Sequence, residues 1–497
     1  MSLERDVFFD RMESQGIALT FDDVRLETNR SDTSATDVSI TSQFSRNVEL
    51  QAPLVSAAMD TVTNSEMAIA MAKLGGIGVI HAVLGAKEQR DEVRRVKLHL
   101  NGRIEKPVTV TPGRTLESVL NECTKRDFDF RTFPVVDQEN RLIGMLTQND
   151  FDFQESMSRR VGKVMTPISE ILSAPSDTSL TDAYQLMQKN KKKTVPLVNE
   201  DGTVAGLYIL SDVKRIVGGD LGQYNVDNNG RLRVAAAVPT DPEQAVERIH
   251  AMSNYLDVVV IDSAQGDSSF SFKTLERLKE EFPDLDVVVG NVTNGLSAKE
   301  LAAAGADGIK VGQGPGSICT TRVETGIGCP QVTAVYQCAQ AVESYGIPVC
   351  ADGGIRNNGD ISIALAAGAS SVMMGGMLAG TDEAPGDVLQ HDDGSLWKKY
   401  IGMGAAIKMR ESTASRKRYG ADGKGEPLAE GVESEVPYIG SVNTLLGFSI
   451  LALRRSLDYV GAPDLETHRR KTRFYMITNN GINESRPHDV VVSPSRR

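Results

Sequence analysis

Ala302-Ala303-Ala304-Gly305-Ala306-Asp307-Gly308-Ile309-Lys310-Val311 and Ala366-Ala367-Gly368-Ala369-Ser370-Ser371-Val372-Met373-Met374-Gly375 repeat one phrase. Each reads as an alanine-rich helix end, a glycine suited to the left-handed position past a helix C-terminus, and a short buried strand. Further β-branched runs ending in Gly, Ser, Asp or Asn stand at Pro53–Ser56, Ile77–His81, Val234–Val238, Val258–Asp262, Val287–Asn291 and Pro348–Asp352. With Gly308–Gly312 and Ser371–Gly375 they make eight, separated by helix-patterned stretches. Continuously apolar strands alternating with helices indicate a parallel sheet covered by helices. Eight such units predict an α/β chain built as a (β/α)8 barrel.

The chain has 497 residues, more than one ordinary domain needs, which leaves room for an insertion. A formal net charge of −12 disfavours a dedicated nucleic-acid site, because phosphate backbones demand a basic face. Its five cysteines form no CxxC pair and suit a reducing compartment. The first residues lack a signal-peptide pattern, and no apolar run reaches membrane-spanning length. A cytoplasmic protein without a membrane segment is expected.

The barrel pattern breaks after the second strand. One unit runs through Pro107-Val108-Thr109-Val110, a helix over Leu116–Asp127, Phe133–Asp137 and Gly144–Asp150. A second opens at Met165-Thr166-Pro167 and continues through a helix over Leu180–Lys189, Val195–Asn199 and Gly206–Asp212. This duplication resembles a tandem CBS (Bateman) module. The expected domains are 1–106 and 218–497 for the barrel and 107–217 for the module. The resemblance implies purine nucleotides held at ribose-binding positions matched by Asp150 and Asp212. The hydroxyl residue three positions before the aspartate is Thr147 in the first copy but Ile209 in the second. Lys191-Lys192-Lys193 reads as a solvated helix C-terminus that favours cations.

In a barrel of this kind chemistry gathers at the C-terminal strand ends. There the chain places Asp262-Ser263-Ala264-Gln265-Gly266, Gly290-Asn291, Asp352-Gly353-Gly354 and Gly375-Gly376. After the sixth strand comes Gly312-Gln313-Gly314-Pro315-Gly316-Ser317-Ile318-Cys319. Taken alone, Cys319 is equally a presented nucleophile or a small packed hydrophobe. Glycine pairs after the last two strands suit a phosphate, and an aspartate beside them suits ribose hydroxyls. Together these predict a nucleotide monophosphate whose base faces the thiol.

The cysteine loop through Thr321, Asp352-Gly353-Gly354-Ile355, Tyr400-Ile401-Gly402-Met403-Gly404, Glu430-Gly431-Val432-Glu433 and Val436-Pro437-Tyr438 resembles the IMP dehydrogenase / GMP reductase family. So do Leu19-Thr20-Phe21-Asp22-Asp23-Val24 and Ala57-Ala58-Met59-Asp60-Thr61-Val62-Thr63. The dehydrogenase branch is the better match. It implies NAD+-dependent oxidation of inosine 5′-monophosphate to xanthosine 5′-monophosphate, the committed step of guanine nucleotide synthesis. Cys319 would attack purine C2, hydride would pass to NAD+, and a covalent thioimidate would await hydrolysis.

By the same resemblance a mobile flap over about residues 400–440 carries Arg418 and Tyr419 for the hydrolytic step, with Thr321 and Glu430 as an alternative proton relay. Gly420-Ala421-Asp422 departs from the family's usual continuation after this pair. Met59, Ser317, Asp352, Gly353, Gly354, Gly375, Gly376, Tyr400, Gly402, Met403, Gly404 and Glu430 match substrate positions. Asp262, Ser263, Asn291 and Lys310 match the dinucleotide site, laid across the barrel mouth since no Rossmann fingerprint is present. A potassium ion is implied on the carbonyls of Gly314, Gly316 and Cys319, completed by Glu484-Ser485-Arg486 of a neighbouring subunit, hence a homotetramer or octamer. Arg486 stands where the family usually has histidine.

Cys329, Cys338 and Cys350 read as packing residues. His81 reads as a hydrogen-bonded structural histidine, and His488 has no evident partner. Two rivals share these features. One is an NADPH-dependent GMP reductase, which needs no Arg-Tyr flap; the other is a nucleotide-sensing regulator built on the CBS pair.

Overall fold

The computed structural model describes residues 4–99, 103–104, 106–125, 130–154, 156–217, 223–419 and 428–490. Eight parallel strands close into a barrel: β1 (Leu54–Ser56), β2 (Ile77–Ile80), β3 (Ala235–Val238), β4 (Val258–Asp262), β5 (Asp286–Val292), β6 (Gly308–Val311), β7 (Val349–Asp352) and β8 (Ser371–Met374). Closure comes from β8 pairing with β1 (Val372 opposite Leu54) and β2 with β3 (Val79 opposite Ala235). The expected strands are all present, with no end shifted by more than one residue. The largest extension is β5, whose first residue, Asp286, accepts from Ser45 Oγ at 2.6 Å and the Asn47 amide at 2.7 Å.

Those two contacts also show how the barrel is stoppered. A hairpin of Ser42–Ser45 and Val48–Leu50 reaches the N-terminal ends of the strands. Its Phe44 and Leu50 complete a core of Val55, Ile77, Val79, Ala235, Val258, Val260, Val288 and Met373. With one mouth filled by apolar side chains, only the C-terminal rim is open for polar chemistry. The repeated phrase has a steric cause. Gly305 and Gly368 adopt φ of +100° and +130°, and a Cβ on Gly368 would lie 2.6 Å from that of Ala339.

A second compact unit comprises Leu100–Gly222 with Asn228–Arg231. It holds two similar halves. In the first, helix Leu116–Lys125 packs on strands Phe133–Val136 and Leu142–Leu146 around Val119, Cys123, Val135 and Phe151. In the second, helix Leu180–Asn190 packs on Thr194–Val198 and Val204–Ile209 around Ala183, Met187, Leu197 and Tyr208. The expected helix end at Asp127 lies outside the described residues.

The halves exchange their leading strands. Thr166–Pro167 pairs with the first half's Leu142–Leu146, and Arg103–Ile104 pairs with the second half's Val204–Ile209. The parallel partner of Val135 is Val110, and its counterpart beside Leu197 is Ala174. The repeat frame of the second copy is thus carried by Ala174, not by the Met165-Thr166-Pro167 that introduces it. Lys191 closes its helix in a left-handed conformation, and Lys192 and Lys193 are exposed beside it. Among the described residues no helix is long and apolar enough to cross a membrane.

Candidate active site

The C-terminal strand ends surround a cavity of about 390 Å³. Met59 follows β1, Asp262 ends β4, Asn291 lies on β5 and Lys310 on β6, and all four line it. The loop Gly312–Cys319, Asp352–Gly354 after β7, and Gly375 and Gly376 after β8 complete the barrel's share. Tyr400, Gly402, Met403, Arg418, Tyr419 and Glu430 come from the long segment beyond β8.

Cys319 is half-buried, held by its amide on the Gly316 carbonyl at 3.0 Å. Its Sγ lies 3.2 Å from Thr321 Oγ1, which donates to Glu430 Oε2 at 2.7 Å. Glu430 is delivered by backbone pairing. Thr320 N donates to its carbonyl at 3.0 Å, its own amide donates to Gly404 O at 3.0 Å, and Val432 N donates to Ile318 O at 3.1 Å. Because the threonine proton is committed to the carboxylate, its lone pairs face the thiol. A proton leaving sulfur therefore has a two-step route to Glu430.

A buried polar cluster lies on the strand ends. Lys310 Nζ donates to Asp352 Oδ2 at 2.7 Å and meets Asp262 Oδ1 at 3.0 Å, and it also contacts Asn291 Oδ1. Asn291 Nδ2 donates to Gly312 O at 2.6 Å and to Asp352 Oδ2 at 2.9 Å. Lys310, 1% exposed, is compensated by two carboxylates, as a buried ammonium must be. Asp262 also forms an ion pair with Arg418, whose carbonyl accepts from Ala264 N at 3.0 Å. Tyr419 packs against Gly404, where a Cβ would sit 2.7 Å from its Cζ. Burial raises the Tyr419 phenol above its ordinary value, with Arg418 opposing.

The glycine pairs form a cradle. Gly353 and Gly354 both have left-handed φ, +88° and +81°, with a Cβ on either crowding Pro315. A Cβ on Gly375 would stand 2.6 Å from Tyr400 Oη, and one on Gly376 would stand 3.2 Å from Ser317 Oγ. The hydroxyls of Tyr400 and Ser317 thus stand beside the backbone of Gly375 and Gly376 at one end of the cavity. The Tyr400 phenol is pushed up first by burial and then by Asp352.

Other expected residues lie elsewhere. Ser263 is buried with its hydroxyl turned to Gln265 O at 2.9 Å within its own loop, and it does not line the cavity. Glu484, Ser485 and Arg486 are exposed around the end of helix Asn479–Glu484 and are likewise absent from the lining. Asp150 caps helix Gln148–Asp152, accepting from Thr147 N at 2.6 Å and Oγ1 at 2.9 Å, and Asp212 lies in the first turn of Leu210–Val217. The departure at Gly420-Ala421-Asp422 lies outside the described residues. His81 is buried, but its Nδ1 meets no partner, and His488 Nδ1 contacts Arg486 O at 2.9 Å.

Two residues of the site carry no motif that sequence reading used. Gln331 Nε2 ties Val311 O at 2.8 Å to Asp352 O at 3.1 Å, bridging β6 and β7. Arg322, directly after Thr321, threads past Gly314 and Gly328, donating from Nε to Gln313 O at 2.9 Å and from Nη2 to Cys329 O. Both were legible only as a polar residue near a glycine.

A thiol hydrogen-bonded towards a carboxylate shares the C-terminal mouth of a closed (β/α)8 barrel with two glycine pairs and Asp352, an arrangement suited to a phosphorylated small molecule. The model of the IMP dehydrogenase / GMP reductase domain matches residues 18–488, and the chain belongs to that family. It is 42% identical over 478 residues to an inosine-5′-monophosphate dehydrogenase of Aquifex aeolicus, covering 96% of each chain. An inosine-5′-monophosphate dehydrogenase of Helicobacter pylori is 39% identical over 476 residues, covering 96% of this chain and 97% of that one. Among solved structures, a GMP reductase variant from Trypanosoma brucei in complex with guanosine 5′-monophosphate superposes with a TM-score of 0.86 at 36% identity. It covers 96% of this chain and 100% of that one. The same organism's GMP reductase in complex with guanosine 5′-triphosphate has a TM-score of 0.76 at 33% identity, covering 94% and 100%.

Proposed function

We propose that this chain oxidises inosine 5′-monophosphate with NAD+ and water to xanthosine 5′-monophosphate, NADH and a proton. The observation that carries this reading is the Cys319–Thr321–Glu430 chain in the same cavity as Arg418 and Tyr419. A thiol with a proton path suits addition to an electron-poor C=N carbon. Residues beyond that addition are needed when water must later break the C–S bond.

Phosphate oxygens fit the cradle of Gly354, Gly375 and Gly376 with Ser317 and Tyr400. On this reading Asp352 takes the ribose hydroxyls, Met403, Gly404 and Glu430 contact the base, and Met59 and Gly402 line the substrate site. Cys319 passes its proton through Thr321 to Glu430, and the thiolate bonds to C2. When bound across the rim near Asp262, Asn291 and Lys310, NAD+ supplies the acceptor for the C2 hydride. The thioimidate then remains on Cys319. Arg418 pairs with Asp262, one of the positions assigned to the dinucleotide, so the two occupy that carboxylate in turn. Glu430 first gives the proton it took from Cys319 to solvent. With Arg418 and Tyr419 in place, a water proton then follows the Thr321 route to Glu430 as hydroxide adds to C2, and Glu430 returns it to the departing thiolate of Cys319. Arg418 then orients the water without having to surrender a guanidinium proton, which is the harder chemistry.

The carbonyls of Gly314, Gly316 and Cys319 are hard neutral oxygens, a donor set suited to potassium. Such an ion would supply fixed positive charge under the cysteine loop. Glu484-Ser485-Arg486, away from their own chain's cavity, are free to complete this site in a neighbour, which favours a homotetramer. The Leu100–Gly222 unit is read as the tandem CBS module, with purine nucleotides at Asp150 and Asp212. The guanosine 5′-triphosphate complex of the Trypanosoma relative makes guanine nucleotides the first to try.

The test is direct. The protein is incubated with inosine 5′-monophosphate plus NAD+, and separately with guanosine 5′-monophosphate plus NADPH. NADH formation in the first mixture with no turnover in the second is expected. NADPH consumption alone would convert the reading to GMP reductase. Silence in both, with guanine nucleotide binding retained, would favour a sensing regulator.

A further inference from the structure

Arg418 is not the only cation of its segment that docks on the barrel rim. Its neighbour Lys417 extends the other way, and Nζ donates to Asp241 Oδ2 at 2.6 Å. Asp241 follows β3 and caps helix Pro242–Met252, accepting from Gln244 N at 3.1 Å through its other oxygen. Consecutive residues of helix Thr413–Arg418 thus grip the ends of two adjacent barrel strands, β3 through Lys417 and β4 through Arg418. The Arg418 carbonyl, on Ala264 N at 3.0 Å, fixes the backbone between them. The Lys417 side chain is 21% exposed and that of Asp241 is 32% exposed, so the pair is partly shielded from water. The Asp241 carboxyl is held below its usual range, first by the Lys417 hydrogen bond.

We propose that Lys417 is a positioning residue for the hydrolytic half of the reaction. Its ion pair with Asp241 holds Arg418 and Tyr419 over Cys319. Lys417 does not line the cavity, so it acts through its neighbours. The Arg418 ion pair and carbonyl bond both fall at the end of β4, which leaves the helix free to pivot about that strand end. A second anchor on a different strand removes the pivot, and with it the freedom of Tyr419 to leave Gly404. Asp241 is well suited to this, because its cap to Gln244 fixes the carboxylate before Lys417 arrives. The inference rests on the dehydrogenase reading for its kinetic arm only.

The test uses the full-length protein with K417A, K417R, D241N and the exchanged pair K417D/D241K. Partly shielded ion pairs are worth enough to shift a docking equilibrium about three- to five-fold. K417A should therefore lower steady-state kcat about three- to five-fold while the first-turnover burst of NADH keeps its rate. K417R should restore kcat. D241N, which retains the helix cap, should behave as K417A, and the exchanged pair should recover part of the loss. Without substrates, the rate of Cys319 alkylation by iodoacetamide, read by mass spectrometry, should rise by a similar factor in K417A. An unchanged alkylation rate in K417A would overturn the proposal, as would equal loss of burst and kcat. Absence of NADH from wild type would instead count against the dehydrogenase reading, leaving the alkylation arm to decide this one.

Discussion

Thr321 gives its hydroxyl proton to Glu430 across 2.7 Å, and so turns its free lone pairs toward the thiol of Cys319. The two residues lie 109 positions apart in the chain. They meet because the strand-like segment through Gly431 pairs with Cys319 on one side and Ala405 on the other. The relay is thus as rigid as the backbone pairing that carries it.

Replacing Glu430 with glutamine removes the terminal acceptor but leaves those backbone bonds intact. A loss of about 100-fold in kcat is expected, in the range for a displaced general base, with KM for inosine 5′-monophosphate changed little. Thr321→Val should cost about as much, and the double variant little more, since both interrupt one path. Additive losses in steady-state kinetics would show two independent paths.

The cysteines should separate by reactivity. Burial raises the thiols of Cys329, Cys338 and Cys350, the last to about 12. A thiol whose pKa is raised stays protonated and unreactive through neutral and mildly alkaline pH. Peptide mapping after brief iodoacetamide treatment at pH 8 should find Cys319 modified ahead of these three. Cys319→Ala should abolish NADH formation.

Gly375 is decided by one hydroxyl. Its φ of −110° suits any residue, yet a Cβ would stand 2.6 Å from Tyr400 Oη. Gly375→Ala should cost about 1–3 kcal/mol of stability by overpacking and raise the substrate KM. Adding Tyr400→Phe removes the clashing oxygen. Thermal melting should then recover, while KM stays high because a phosphate donor has gone.

Two buried histidines set an acid limit on stability. Burial lowers His81 to about 4, against the raising effect of Asp60, and His468 to about 3. A base depressed in the folded state stays neutral there while the unfolded chain takes up a proton below about pH 6.5. Their contribution is therefore whole above pH 6.5 and is lost as pH falls toward 4 and 3, at most about 3 kcal/mol for His81 and about 5 kcal/mol for His468. The melting temperature should drop steadily over that window. His468→Leu should flatten the drop, and a parallel decline in the variant would remove His468 from the account.

The strand ends and glycine positions were legible because burial and backbone sterics act on neighbouring residues. A fully buried strand must be apolar throughout, and the turn after a helix wants glycine, so β1 to β8 and Gly305 and Gly368 could be read locally. The rim residues Asp352, Gly354 and Gly375 followed, since a closed barrel has one working end. Ser263 shows where this stops. Its position marks the rim, but the turn it sits in consumes its hydroxyl. Gln331 and Arg322 show the converse, as polar residues without a motif whose long side chains stitch the site together.

Sequence alone determined the barrel, the inserted repeat and the glycine loop that carries Cys319, because each rests on a period or a loop written in consecutive residues. Only the tertiary structure decided how Thr321 stands between Cys319 and Glu430, that Arg418 and Lys417 grip Asp262 and Asp241, and that the inserted halves exchange strands. Those are pairings between segments far apart in the chain. A charged or hydroxyl side chain has many partners of suitable chemistry within its reach in principle, and only folding selects among them by bringing one within about 3 Å.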